Sequence, residues 1–134
     1  MQYAKVSKMK RIYLAGPYTK GDVAVNVANA IRVADHLLMR GYYPFIPHLT
    51  HFWHLICSRP YDCWLGYDLV WLEQCDAMVR IMGDSNGADK EEEKMTELAR
   101  PIFHLNGFNL KSLLELDEWL SKQTIYSHNQ RRHK

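Results

Sequence analysis

The sequence predicts a small α/β domain with a doubly wound (Rossmann-like or flavodoxin-like) parallel sheet of four to five strands flanked by helices. The alternation of two kinds of segment predicts this class. Short apolar runs alternate along the chain with longer segments whose apolar residues recur at helical spacing. Strands and helices that alternate in this way form parallel sheets covered on both faces. The length of 134 residues suits one domain, which we place at residues 1–121.

The first half of the chain alternates strand, helix and strand. The apolar run Arg11–Ala15 (RIYLA) is stopped by a Gly-Pro pair, which is typical of a buried strand. From Asp22 to about Arg40 the apolar residues recur at helical spacing, which predicts a helix that ends at Gly41. The segment Tyr42–Ile46 is strand-like and is followed by a proline.

The second half continues the alternation. Its predicted elements are a helical stretch over residues 48–57, a helix over Tyr61–Cys75, a strand over Asp76–Met82, a helix over Ala88–Ala99, a strand over Pro101–Leu105 and a helix over Leu110–Leu120. Folds of this class bind ligands at the carboxyl edge of the strands. The segments expected at that edge are residues 16–22, residues 47–54, the start of the Tyr61 helix and residues 83–91.

The composition is that of an ordinary soluble protein, with 47% hydrophobic and 24% charged residues. No apolar run approaches the roughly 18 residues that a membrane span needs, and the chain does not open on a signal-peptide segment. We therefore expect a cytoplasmic protein without a membrane partner. Three cysteines without a CxxC pair argue against a disulfide framework.

Basic residues are concentrated at the end of the chain. The segment from Lys122 onward holds four of the 17 Lys and Arg residues and no acid, which leaves 13 basic and 15 acidic residues before it, a net charge of −2. We expect residues 122–134 to form a flexible basic tail, and we expect no specific nucleic-acid partner.

Asp68 interrupts an apolar stripe. On a helical projection of Tyr61–Cys75 it falls in the middle of the apolar face. An ionised carboxylate there is costly unless it is paired or hydrogen-bonded. Either a backbone amide or an arginine holds it, or it is a carboxylic acid whose pKa is raised by its surroundings.

Three consecutive glutamates open the Ala88–Ala99 helix. At 100° per residue, Glu91 lies about 40° from the centre of the apolar face and Glu92 about 60° on its other side, whereas Glu93 points to water. Periodicity does not choose between the first two, and acids also favour helix N-termini because of the helix dipole. Helix and strand lengths bring Asp68 and Glu91 to similar positions along the strand direction, near the carboxyl edge of the sheet. Enzymes that cleave glycosidic bonds use two carboxyl groups that face one cleft.

Five segments carry a family resemblance: IYLAGPYT (12–19), GYYPFIPHLTHFW (41–53), YDLVWLEQCDAMVRI (67–81), SNGADKE (85–91) and RPI (100–102). Together they resemble the nucleoside 2-deoxyribosyltransferase-like family over about residues 11–105. The likeness is closest to a short, largely uncharacterised branch, whose members are often left as domains of unknown function. More distant relatives are nucleoside deoxyribosyltransferases and 2′-deoxynucleoside 5′-monophosphate N-glycosidases.

The resemblance implies catalytic roles. A Ser-x-Gly-x-x-x-Glu segment carries the nucleophile in characterised relatives, and here it ends at Glu91. The Asp of an Asp-Leu-x-Trp-Leu helix corresponds to Asp68, and the first-strand tyrosine, which positions the nucleophile, corresponds to Tyr13. The implied enzyme, a hydrolase or a transferase, acts by double displacement on 2′-deoxynucleosides or their 5′-monophosphates. The alternative is a non-catalytic nucleotide-binding or sensor module of the same fold.

The resemblance also implies a binding site for the substrate. Ser85 and the amides of Asn86 and Gly87 would hold a 5′-hydroxyl or phosphate. The loop Gly16-Pro17-Tyr18-Thr19-Lys20 departs from the Gly-Ser-x-Arg pattern of phosphate-binding relatives, so Lys20 is either a substitute for the arginine or a solvated lysine. Relatives complete the site with a Ser or Asn of a neighbouring subunit, which implies a homodimer or higher homo-oligomer here, with Asn106 or Asn109 as the candidate.

Residues 47–57 space three histidines and a cysteine by threes: His48, His51, His54 and Cys57. Residues spaced by three do not stay on one face of a helix, and pairs of zinc ligands on a helix are usually spaced i, i+4. We therefore expect no metal and no other cofactor. Instead, we expect His48 and His51 to line the pocket, with Phe52 or Trp53 stacking on a base. The alternatives are exposed histidines or a zinc-stabilised interaction domain.

Overall fold

The computed structural model describes residues 10–132, with side chains described as far as residue 123. The elements in chain order are β1 (Arg11–Ala15), α1 (Val23–Met39), β2 (Tyr43–Phe45), a 3-10 turn (Pro47–Leu49), α2 (Thr50–Ile56), α3 (Tyr61–Leu72), β3 (Ala77–Ile81), α4 (Asn86–Glu97), β4 (Ile102–Leu105) and α5 (Leu110–Arg132). The predicted alternation of strands and helices is confirmed.

The four strands form one parallel sheet in the order β2-β1-β3-β4. Successive strand residues face opposite sides, so each face has its own core. Ile12 of β1 and Val79 of β3 pack with α1 and α5. Tyr13 of β1 and Met78 of β3 pack on the other face with α3 and α4. Helices therefore cover both faces of the sheet, which is doubly wound as predicted.

Side-chain caps fix the starts of α1 and α4. Asp22 accepts a hydrogen bond from the Val25 amide at 3.1 Å and begins α1. Ser85 accepts one from the Ala88 amide at 3.1 Å and begins α4. Such a cap satisfies an amide that has no partner within the helix. Because Ser85 is the N-cap of α4, it sets the start of that helix and thus places Glu91 in its second turn.

Most boundaries shift by one or two residues from the sequence prediction, and three elements differ by more or in kind. The stretch 48–57 is a 3-10 turn followed by the short helix α2, and α3 ends at Leu72 rather than Cys75. Helix α5 runs to Arg132 rather than Leu120, since no Gly or Pro follows residue 107 to stop it. The backbone of residues 122–132 of the predicted tail therefore belongs to α5, while the side chains after residue 123 and all of residues 133–134 lie outside the described residues; the flexibility of this tail stays a prediction. Among the described helices, none is both long enough and apolar enough to cross a membrane.

Candidate active site

A cleft of about 560 Å³ opens at the carboxyl edge of the sheet, between the loop after β1, the 3-10 turn, α3 and the start of α4. Its lining includes nine residues predicted for the site: Gly16, Tyr18, Lys20, His48, Asp68, Ser85, Asn86, Gly87 and Glu91. The segments predicted to meet at this edge thus do so. The cleft is where the two carboxyl groups come together.

Glu91 lies on the buried side of α4 and lines the cleft, with 6% of its surface exposed. The Tyr13 hydroxyl, on the neighbouring strand β1, donates a hydrogen bond to its carboxylate. Glu92 points away, since its Oε1 lies 2.7 Å from Nε2 of His104 on β4, and Glu93 is exposed. The structure therefore distinguishes the glutamates that helical periodicity leaves equivalent.

Asp68 lies on α3, lines the same cleft and is 9% exposed. Its Oδ1 is buried and has no hydrogen-bond partner in the described part of the chain, so neither an amide nor an arginine holds that oxygen there. Burial raises the pKa of Asp68 to about 7. The geometry therefore favours a carboxylic acid with a raised pKa over a carboxylate held by an amide or an arginine.

The two acids act as an electrostatic pair. Burial, opposed by the Tyr13 hydrogen bond, raises the pKa of Glu91 to about 8, and the Asp68 charge adds to the rise. Since ionisation of one disfavours ionisation of the other, the two acids titrate as a coupled pair around neutral pH. The Tyr13 hydroxyl and the Arg80 guanidinium both stabilise the ionised form of Glu91, whereas Asp68 Oδ1 lacks a donor among the described residues.

Tyr13 supports Glu91 from within the core. Its side chain is fully buried, and its ring stacks on Phe45 with centroids 5.5 Å apart. Burial and the charges of Glu91 and Asp68 raise the pKa of Tyr13 well above its usual value. The phenol therefore stays neutral and remains a hydrogen-bond donor. Tyr13 does not line the cleft, which is consistent with the predicted positioning role.

Arg80 is a site residue that sequence reasoning missed. It occupies the otherwise apolar strand β3 and is 8% exposed. Its Nη2 lies 3.0 Å from the Gly83 carbonyl and 3.0 Å from Asp89 Oδ1, and its Nη1 donates to the Ile81 carbonyl. Arg80 thereby ties the loop after β3 to the first turn of α4. A basic residue in an apolar strand was the available signal.

The loop after β1 is held by contacts behind the cleft. Pro17 does not line the cleft, but its carbonyl lies 2.9 Å from Nε2 of His48. A side-chain carbon added to Gly83, whose φ is +119°, would lie 2.6 Å from the Pro17 ring. The loops after β1 and β3 therefore touch, and only glycine fits at that point.

Two further predicted site residues lie outside the lining. His51 Nδ1 is 2.6 Å from the Tyr18 hydroxyl, so His51 supports a lining residue. Trp53 is half exposed, and its ring packs edge-on against Trp64, 5.1 Å between centroids, and against Tyr67. Neither lines the cleft.

Most of the other cleft walls lie in the segments expected at this edge, but sequence reasoning did not single them out as site residues. They are Thr19, Pro47, Thr50, His54, Arg59, Tyr61, Trp64, Leu65, Asp84, Ala88 and Lys90. Tyr61 and Trp64 lie on the apolar face of the predicted helix, where a residue of a cleft wall and a core residue have the same periodicity. The Lys90 ammonium lies 5.4 Å above the Tyr61 ring, so this wall is both aromatic and cationic.

The histidine row is divided among separate partners. His54 Nδ1 accepts hydrogen bonds from Trp64 Nε1 at 2.8 Å and from the Arg59 amide at 3.2 Å. Cys57 is exposed. Within residues that the structure describes, no three His, Cys, Asp or Glu side chains gather as a metal site would require.

The two candidate asparagines lie elsewhere in this chain. Asn106 lines a smaller pocket with Arg80, Glu92 and His104. Asn109 Oδ1 accepts a hydrogen bond from the Ser112 amide at 2.9 Å, at the start of α5. Neither lines the cleft of its own chain.

Comparison with known proteins identifies the family but no activity. Residues 10–105 match the model of a family described as "Domain of unknown function (DUF7768)". No curated protein was found to match the chain. The matched span contains all four strands and every lining residue of the cleft. The chain therefore belongs to the DUF7768 family.

Proposed function

We propose that this protein cleaves or transfers the N-glycosidic bond of 2′-deoxynucleosides or their 5′-monophosphates by double displacement. One observation carries the proposal: two buried acids, Asp68 and Glu91, line a single cleft, and burial raises the pKa of each toward neutral pH. One member is thus suited to be a nucleophile and the other a proton donor. The resemblance to the nucleoside 2-deoxyribosyltransferase-like family supports the same assignment.

In the first step the Glu91 carboxylate attacks the anomeric carbon while the bond to the base breaks. The bonding electrons leave with the base, which takes the proton of Asp68. The sugar becomes a glycosyl ester of Glu91. In the second step water, or another base, attacks the same carbon and gives its proton to Asp68, and the Glu91 carboxylate departs. Water yields a hydrolase and a second base yields a transferase.

Tyr13 and Arg80 prepare Glu91 for attack. The Tyr13 hydroxyl holds one carboxylate oxygen in place, and both groups stabilise its charge. The ionised form would otherwise be strongly disfavoured by burial. Neither residue needs to touch the substrate, because both act through the orientation and ionisation of Glu91.

Cations around the cleft favour a phosphorylated substrate. Lys20, Arg59 and Lys90 line it, with Asp84 as the exposed acid among them. The amides of Asn86 and Gly87, in the first turn of α4, have no acceptor within the helix and can hold an anion together with these cations. The aromatic wall of Tyr61 and Trp64 offers apolar surface to the sugar and base.

The test is release of free base. The protein is incubated with each common 2′-deoxynucleoside and its 5′-monophosphate, and products are separated by chromatography with and without an added acceptor base. We expect base release or exchange, abolished by Glu91→Ala and only mildly reduced by Glu92→Ala. Neither release nor exchange from any substrate, with a folded protein, would overturn the proposal, and equal losses in both variants would overturn the assignment of Glu91. Tight nucleotide binding that survives Glu91→Ala, without turnover, would instead identify a nucleotide-binding module.

A further inference from the structure

His48 is one of the most buried polar residues at the cleft, with 5% of its surface exposed. It lies in the middle of the 3-10 turn between β2 and α2. Its Nε2 is 2.9 Å from the Pro17 carbonyl oxygen. A carbonyl only accepts, so Nε2 must carry the hydrogen and donate it. This contact fixes both the orientation of the ring and its tautomer.

The other ring nitrogen is left without a donor. Burial lowers the pKa of His48, although the Pro17 and Gly16 carbonyls oppose the change, so the ring is neutral near pH 7. A neutral ring protonated at Nε2 presents a lone pair at Nδ1. That nitrogen is buried and has no hydrogen-bond partner within residues 10–123. Buried acceptors are usually paired in proteins, so the unpaired Nδ1 points to a ligand that supplies a donor.

Asp68 presents the complementary chemistry in the same cleft. In its acid form it donates a proton, and its buried Oδ1 likewise lacks a partner in the described chain. A ligand that satisfies both groups must offer an acceptor to Asp68 and an N–H or O–H to His48. An amino-substituted base offers this pair on neighbouring atoms, since a ring nitrogen accepts and the exocyclic amine donates. For a base bound in the same orientation, a carbonyl oxygen in place of the amine would face the Nδ1 lone pair, and the adjacent ring N–H would face the Asp68 hydroxyl.

We propose that His48 is a specificity-determining residue whose Nδ1 accepts a hydrogen bond from the exocyclic amine of the base, so that the cleft selects amino-bearing bases. This inference rests on the proposed function and names its substrate class. Adenine and cytosine deoxynucleotides are therefore preferred over thymine and uracil deoxynucleotides. The fixed tautomer explains the direction of the preference, because a ring held with Nε2–H cannot donate from Nδ1.

Paired ligands and paired variants test the proposal. Binding of deoxyadenosine 5′-monophosphate is compared with that of purine deoxyriboside 5′-monophosphate, which lacks only the amine, by calorimetry in a Glu91→Gln background that prevents turnover. We expect about tenfold tighter binding of the amino ligand, the size of one well-made hydrogen bond. His48→Gln keeps a donor near Nε2 but has no acceptor at Nδ1, and should reduce the ratio to about one. His48→Asn places its amide oxygen near Nδ1 and should retain a preference.

A spectroscopic measurement does not depend on turnover. In ¹⁵N spectra of the free protein, His48 Nδ1 should appear as an unprotonated nitrogen, and it should shift when deoxyadenosine 5′-monophosphate is added. A proton on Nδ1, or equal binding of the two ligands by the Glu91→Gln protein with His48 intact, would overturn the inference. If the wild type nevertheless released free base, the proposed function would stand. Failure of any deoxynucleotide to bind would overturn both.

Discussion

The ionisation of Glu91 should make the fold less stable as pH rises. Its pKa is raised from 4.5 to about 8 in the folded state, so between those values the folded protein holds a proton that the unfolded chain has released. The stability that depends on this proton is complete below pH 4.5 and is lost as pH rises to 8. At about 1.4 kcal/mol per pH unit, the full loss is about 5 kcal/mol, of which about 2 kcal/mol falls between pH 6.5 and 8.5.

Urea denaturation at pH 6.5, 7.5 and 8.5 measures this loss. Burial lowers the pKa of His48, so the folded ring is neutral over this range, and its titration in the unfolded chain near pH 6.5 offsets a small part of the loss equally in every variant. The wild type and the exposed control Glu93→Gln should each lose about 2 kcal/mol of unfolding free energy through Glu91, and a smaller further amount through Asp68, whose pKa is also raised. Glu91→Gln, which keeps the shape but not the charge, should lose much less. A wild type of constant stability, or a Glu91→Gln profile parallel to it, would refute the reasoning.

Three other substitutions have defined outcomes. Arg80→Met removes a cation that lowers the pKa of Glu91, so the rise of kcat/KM with pH should move to higher pH. Tyr13→Phe removes the hydroxyl that donates to that carboxylate and should reduce kcat by about 10- to 100-fold, an effect of about 1.4–2.7 kcal/mol on the barrier, while circular dichroism stays unchanged. Gly83→Ala forces a carbon to within 2.6 Å of the Pro17 ring at positive φ and should cost about 1–3 kcal/mol in thermal unfolding.

Controls separate these effects from general damage to the fold. Arg80→Lys retains the charge and should move the pH profile less than Arg80→Met does. Gly66→Ala meets nothing within 4 Å and lies inside α3, so it should stabilise the protein by about 0.5–1 kcal/mol. A Gly83→Ala protein as stable as Gly66→Ala would contradict the close approach of the two loops, and an unmoved Arg80→Met profile would contradict the electrostatic role of that residue.

The fold was predictable because its signals are local. Gly16 follows the first strand and Gly41 follows α1, Ser85 caps α4, and apolar residues recur at the period of each element. The site was only partly predictable, because its decisive contacts join distant segments. Tyr13 meets Glu91 across 78 positions, and no helical projection contains that contact. Periodicity did not single out Tyr61 and Trp64 as cleft residues, because a helix face toward a cleft has the same periodicity as one toward a core.

The position of Trp64 gives the protein an optical probe of its own. Its indole lines the cleft and donates to His54, whereas Trp119 packs against Phe103 on the opposite face of the sheet. A ligand that enters the cleft will change the polarity around the first indole and leave the second unaffected. Intrinsic fluorescence therefore offers a label-free titration of occupancy, and replacing Trp119 with Phe would remove one of the three other tryptophans, the remaining two being Trp53 and Trp71, without touching the cleft.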